Sequence, residues 1–386
     1  MLPMKRLRVT LLVVAASAIA LVTTGGGVVA KPKPPAERSI VGLEFLGEVS
    51  LPTGASFEGT EVGGLSSIVY DDKRGNYYAI SDDPGIIDPV RYYTLRIDVA
   101  DGRLGEGDVE IIDVTTVLDG SGAPFQPNSL DPEGIAMGHS GQLFVSSEGI
   151  TVATPPVDPF IRRYNLNGRE TAEVPVDDKF LPDGSGTFGV RQNLGFESLA
   201  VTPDDKRLFT ATEAALAQDG PAADVGQTSL ARMIEYDVGK RRALAEFVYV
   251  TDPVAEPPDP PDAFRVNGLV ELLPIDNAGT QLAMERSFSV GAGNTVKLYE
   301  ARAQGATDVS GFDDLFDEST GTTVPFQPVD KRFLLDFGDF VVPDNLEGLA
   351  FGPDLPDRRK LLIVVSDNNF APSQVTQFIA LAVSLD

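Results

Sequence analysis

A phrase of five residues recurs five times along the chain: an acid or small polar residue, a small residue, then an apolar run. It reads Ser66-Ser67-Ile68-Val69-Tyr70, Glu133-Gly134-Ile135-Ala136-Met137, Glu197-Ser198-Leu199-Ala200-Val201, Asn267-Gly268-Leu269-Val270-Glu271 and Glu347-Gly348-Leu349-Ala350-Phe351. Successive copies start 67, 64, 70 and 80 residues apart. A second apolar run follows each copy and ends in a polar cluster. Examples are Ile80-Ser81-Asp82-Asp83, Val145-Ser146-Ser147-Glu148, Ala211-Thr212-Glu213, Met284-Glu285-Arg286 and Val365-Ser366-Asp367. A period of this length with two or more strands per unit means radial repetition of small sheets.

The first four units each supply four strand-like runs between Gly, Asp and Pro turns, and Asn167-Gly168 is a strong hairpin signal in the second. The fifth has only residues 347–351, 360–365 and 375–383, so it ends one strand short. Residues 40–51 form a strand-like run with no unit of its own. Pairing it outside the last unit closes the ring and removes the open sheet edges. The expected fold is therefore all-β, a β-propeller of five blades closed by an N-terminal strand. Six blades stay open as an alternative, because the long acidic insertion at residues 303–329 could hold irregular strands. Helical periodicity of useful length appears nowhere.

Residues 1–30 read as a signal peptide: Lys5, Arg6 and Arg8, then an apolar stretch and the small tripeptide Val28-Val29-Ala30. Residues 31–39 read as a Pro-rich disordered leader, and residues 40–386 as a single domain. A secreted or periplasmic protein with no stable membrane anchor after cleavage is the expectation. The chain has no Cys, which removes thiolate chemistry and lipid attachment after the leader. It has 57 Asp and Glu against 31 Lys and Arg. Such a field repels nucleic acid and anionic membranes and suits divalent cations. A monomer is expected.

In a propeller the innermost strands line the channel, so Glu133, Glu197 and Glu347 should meet near one mouth. The second strands run antiparallel and end at the same mouth. That adds Asp82, Asp83, Glu148, Glu213, Glu285, Asp367 and Asn368. Third strands begin there too, bringing Arg91, Arg162 and Lys297 to the rim. A Ca²⁺ site is one reading of this ring, with Glu133, Glu197, Glu347, Asp82 and Asp367 as ligands, since hard cations take many oxygens. Carboxylates that cap backbone N–H groups and knit the blades are the other. Glu148, Glu213 and Glu285 are the candidate catalytic acids or bases, and Arg91, Arg162, Arg191 and Arg286 the candidate binders of a small anionic substrate. The lone His139 sits in a turn away from this mouth, which argues against a Ser-His-Asp triad and a phosphohistidine mechanism.

The phrases Asp131-Pro132-Glu133-Gly134-Ile135, Arg191-Gln192-Asn193-Leu194-Gly195-Phe196-Glu197 and Asn345-Leu346-Glu347-Gly348-Leu349 resemble the phytase-like (esterase-like) domain of exported bacterial proteins. The resemblance covers about residues 40–385. That family is distantly similar to the β-propeller phytases, in which Ca²⁺ ions hold phosphate. The resemblance implies an exported, metal-dependent hydrolase of phosphoesters or related esters. The alternative is a non-catalytic extracellular propeller that binds a ligand or cell-envelope partner through the same mouth.

Overall fold

The computed structural model describes residues 36–138, 140–317 and 322–386. The expected signal peptide, most of the leader and His139 lie outside the described residues. Five four-stranded antiparallel sheets follow one another along the chain. Blade 1 comprises Leu65–Asp71, Asn76–Ser81, Arg91–Ile97 and Val109–Thr116. Blade 2 comprises Pro132–Gly138, Gln142–Ser147, Phe160–Tyr164 and Glu170–Val174, and blade 3 Phe196–Val201, Arg207–Thr212, Leu230–Asp237 and Arg242–Val250. Blade 4 is built from Arg265–Pro274, Thr280–Ser289, Gly293–Arg302 and Asp330–Asp336. Blade 5 uses Asn345–Asp354, Lys360–Asp367 and Val375–Leu385, completed by Ile40–Pro52.

The innermost strands pack against one another in the cyclic order 1-2-3-4-5-1, which makes the molecule a five-bladed propeller. Ile40–Pro52 closes it as expected, pairing antiparallel with the last strand from Ile40 opposite Leu385 to Pro52 opposite Val375. Among the described residues no sixth blade forms. The described part of the insertion between the third and fourth strands of blade 4 carries the short ribbon Phe316–Asp317 with Thr322–Thr323. Helix is confined, among the described residues, to three single 3₁₀ turns.

Each strand alternates sides, and both sides of a blade are apolar because both meet another blade. Tyr77 and Ala79 pack towards blade 5 while Tyr78 and Ile80 pack towards blade 2. Leu361, Ile363 and Val365 face blade 1, and Leu362 and Val364 face blade 4. The core is thus divided into layers, one in each of the five blade interfaces. Fully burying one such side chain contributes about 1.5–3 kcal/mol.

Two glycines show how closely the blades approach. A Cβ on Gly348 would lie 2.7 Å from Val365 Cγ1 and 2.9 Å from Ser67 Cα of the neighbouring innermost strand. Gly47, at φ +135°, leaves room for the carbonyl of Leu104 in blade 1, which a Cβ would meet at 2.2 Å. The repeated small residue after each leading Glu or Asn is therefore a packing requirement of the ring.

Candidate functional site

The repeated phrase marks a backbone irregularity as well as a strand. Near the start of every innermost strand the ladder to the second strand slips, between Leu65 and Ser67, Pro132 and Ile135, Phe196 and Ser198, Leu269 and Glu271, and Leu346 and Gly348. A bulge re-aims the side chain it carries. Here it accompanies Glu133, Glu197 and Glu347 at one channel mouth. In blades 1, 2 and 3 the end of the second strand is tied back to the chain entering the first. Asp82 N donates to Gly64 O at 2.7 Å, Glu148 N to Asp131 O at 3.0 Å and Glu213 N to Gly195 O at 2.8 Å.

The result is a cavity of about 850 Å³ lined by Asp82, Glu133, Glu148, Glu197, Glu213, Asp344, Glu347 and Asp367. Arg286 is the one cation among the described lining residues. Its Nη2 lies 3.2 Å from Glu213 Oε1 and 3.3 Å from Glu347 Oε1, and its Nε is buried without a hydrogen-bond partner. Asn345 Nδ2 donates to Glu347 Oε1 at 2.9 Å and to Asp367 Oδ2 at 3.1 Å, and Gly195 N donates to Glu148 Oε2 at 2.8 Å. Oxygens of Asp131, Glu133 and Glu148 all lie within 4.8 Å of one another. Asp82 Oδ1 is buried and accepts no hydrogen bond.

So many acids with so few partners hold one another's protons. Burial, then Asp367 and Glu347, push the Asp82 carboxyl well above the carboxylate range. Burial, then Glu197 and Glu148, do the same to Glu133, and burial with Glu148 and Glu213 to Glu197. Burial raises Glu347 to about 8 even against the pull of Arg286, and raises Asp367 and Asp131 to about 6. Burial disfavours the Arg286 cation, but Glu347, Glu213 and Glu197 outweigh it and raise its pKa.

Of the residues singled out from the sequence, Glu133, Glu197, Glu347, Asp82, Asp367, Glu148, Glu213 and Arg286 meet in this cavity. Glu285 does not. The pleat sends Arg286 to the mouth and Glu285 the other way, where it accepts from Tyr249 Oη at 2.9 Å and Lys331 Nζ at 2.6 Å. Arg91 does not reach the cavity either. It is buried in blade 1, donating to Asp83 at 2.8 Å, Tyr93 Oη at 2.7 Å and the Glu61 carbonyl at 2.8 Å. Asp83 is spent on that contact and on the N–H groups of Ile86, Ile87 and Asp88, which hold its pKa low against burial. Arg162 lies over the Phe160 ring beside Glu170, too far out along the blade. Arg191 donates to the carbonyls of Ala215, Ala217 and Gly220, bracing a loop rather than facing the cavity. Lys297 sits 4.0 Å from Asp252 on the outer part of blade 4, and Asn368 is consumed by Gly64 N and Phe370 N.

Two further residues, absent from the expected site, are of consequence here. Asp131 lies two residues before Glu133 and completes its oxygen cluster. Glu271 is buried at mid-channel, accepting from Ser67 Oγ at 2.7 Å in blade 1, Leu199 N at 3.3 Å in blade 3, Leu272 N at 3.0 Å and Leu349 N in blade 5. Its signal is visible: the other four copies of the phrase end in Tyr70, Met137, Val201 and Phe351.

The chain is 28% identical over 142 residues to an uncharacterized secreted protein of Arthroderma benhamiae, a stretch covering 31% of this chain and 26% of that protein. Among solved structures, the chain is similar to hydrazine synthase of Kuenenia stuttgartiensis (12% identity, TM-score 0.33, 81% of this chain and 59% of that one). It is also similar to a luciferin-regenerating enzyme (11%, 0.35, 84% and 93%) and to the Dos1 propeller (7%, 0.34, 82% and 67%). None of these three likenesses is close enough to carry an argument. Residues 60–370, most of the chain, match the family described as phytase-like, esterase-like activity of phytase, and the protein belongs to that family.

Proposed function

We propose that the protein is an exported, metal-dependent hydrolase of small phosphoesters or related esters, with the acidic mouth as its active site. The observation that carries this reading is the oxygen cluster of Asp131, Glu133 and Glu148, beside the buried and unpartnered Asp82 Oδ1. An all-oxygen donor set with an excess of acid fits a hard divalent cation such as Ca²⁺. Asp131, Glu133, Glu148 and Asp82 would hold it. Bound there, the cation would supply Lewis acidity to a phosphoryl or carbonyl oxygen.

The chain's own residues do the rest. Arg286, the one cation among the described lining residues, is placed to meet an anionic substrate oxygen. Glu213, which Arg286 contacts at 3.2 Å, is the base within reach, buried and lining the same cavity. It takes a proton as the water oxygen bonds to phosphorus or to the acyl carbon. The bond from that centre to the leaving oxygen breaks, and the proton passes to the leaving oxygen. The family's described esterase-like activity supports the reaction class, and the fungal relative described as secreted supports export.

The test is turnover of 4-nitrophenyl phosphate and 4-nitrophenyl acetate by metal-stripped protein with and without Ca²⁺. Calcium-dependent turnover is expected, reduced about a hundredfold or more in Glu213→Gln. Calcium should also raise the melting temperature, and less so in Glu133→Gln. Stabilisation by calcium with no turnover of either ester would replace this reading with a ligand-binding propeller. A protein indifferent to calcium in both assays would remove the metal site altogether.

A further inference from the structure

The cavity is chemically two-sided. Its carboxylates come from blades 1, 2, 3 and 5, and its apolar lining residues Phe264, Phe288, Val342, Pro343 and Val375 gather beside blades 4 and 5, among polar ones such as Asn294, Ser373 and Gln374. Phe264 directly precedes the innermost strand of blade 4, and Phe288 lies on the partner strand, paired with Val266. Their rings stand 6.1 Å apart, centroid to centroid. Phe264 is 65% exposed and Val342 is 90% exposed. Other large apolar side chains, Ile86 and Val152 among them, are exposed elsewhere, but these stand together on the lip of a charged cavity, where a ligand can cover them. Ligand pockets combine such walls with a few convergent polar groups.

Charge decides what kind of molecule covers it. Beyond the divalent cation of the hydrolase reading, the described lining sets a single positive side chain, Arg286, already between Glu213 and Glu347, against eight carboxylates, which favours a ligand of low negative charge. A ligand with one small charged or ester head and one apolar body satisfies both sides at once.

Resting on the hydrolase reading above, we infer that the substrate is an ester with a single anionic or ester head and an aromatic or bulky alkyl group. The head sits over the carboxylates within reach of Arg286, and the apolar group lies against Phe264, Phe288 and Val342. These three residues determine specificity and take no part in bond breaking.

Calorimetry with two non-hydrolysable probes, phenylphosphonate and methylphosphonate, on the calcium-loaded protein tests this. Phenylphosphonate should bind about tenfold more tightly, the scale of partly burying one aromatic ring. Phe264→Ala should cut that preference to about twofold, and Val342→Ser should reduce it independently. Both positions are exposed, so an unchanged melting temperature is expected for each variant. Equal affinity for the two phosphonates in the wild-type protein overturns the inference and leaves the hydrolase reading standing. If neither probe binds and calcium neither stabilises nor activates the protein, the hydrolase reading fails and this inference falls with it.

Discussion

Stripped of calcium, the protein should become less stable as the pH rises from about 5 to about 8, the reverse of what repaired salt bridges would give. The Asp367 carboxyl is raised from 3.8 to about 6 in the folded state, mainly by burial. A carboxyl whose folded pKa lies above its unfolded one contributes stability below the unfolded pKa. That contribution is lost as the pH climbs through the folded pKa. Two pH units correspond to about 3 kcal/mol for this group once it is ionised. Asp131 moves to about 6 and Glu347 to about 8 in the same direction, so the decline extends towards pH 8. These groups share one field, so their contributions do not simply add. Carboxyls held low elsewhere, such as Asp83 beside Arg91 and Asp224 (about 2) beside Arg265, lose their stabilisation only at acid pH and leave this window unaffected. For a chain of this length about 3 kcal/mol is about 4 °C in melting temperature. Scanning calorimetry across the pH range, in chelator and in millimolar Ca²⁺, makes the comparison. Calcium should flatten the slope, because a bound cation keeps the carboxylates charged at no cost. A chelated protein whose melting temperature is flat or rises over this range would refute the reasoning.

Two further outcomes follow from the fold. Deleting residues 36–53 removes the strand that completes blade 5 and bares the edge of Val375–Leu385, so light scattering should report aggregation; a well-behaved monomer melting like the parent would disprove closure by this strand. Glu271→Ala leaves Ser67 Oγ and Leu199 N buried without an acceptor and should cost about 2–4 kcal/mol in urea unfolding, with Glu271→Gln less harmful; an unchanged midpoint would show that the mid-channel carboxylate does not staple the blades.

The fold was legible because each blade repeats the same two apolar runs, and because the one strand without a unit matched the one unit lacking a strand. The acids at the mouth were legible for a related reason. Glu133, Glu197 and Glu347 open innermost strands, and Asp82, Glu148, Glu213 and Asp367 close second strands. Blade 4 broke the pattern. Its second strand, Thr280–Ser289, continues past the polar pair, so pleat parity decides the outcome and Arg286 rather than Glu285 faces the channel. The arginines were misplaced because sequence shows where a strand begins but not how far its start lies from the axis. Arg91 and Arg162 begin third strands, which lie well outside the ring. The apolar lip escaped notice because Phe264 and Val342 are isolated in loops, where no periodicity singles them out.

Glu271 also stands between two cavities. Its carboxyl joins the innermost strands of blades 1, 3, 4 and 5 at the middle of the channel and is 1% exposed. The acidic cavity lies on one side of it. On the other is a separate cavity of about 540 Å³ with Tyr70, Met137, Pro274 and Phe351 in its walls. The two cavities share no lining residue, so a molecule held in one touches none of the walls of the other.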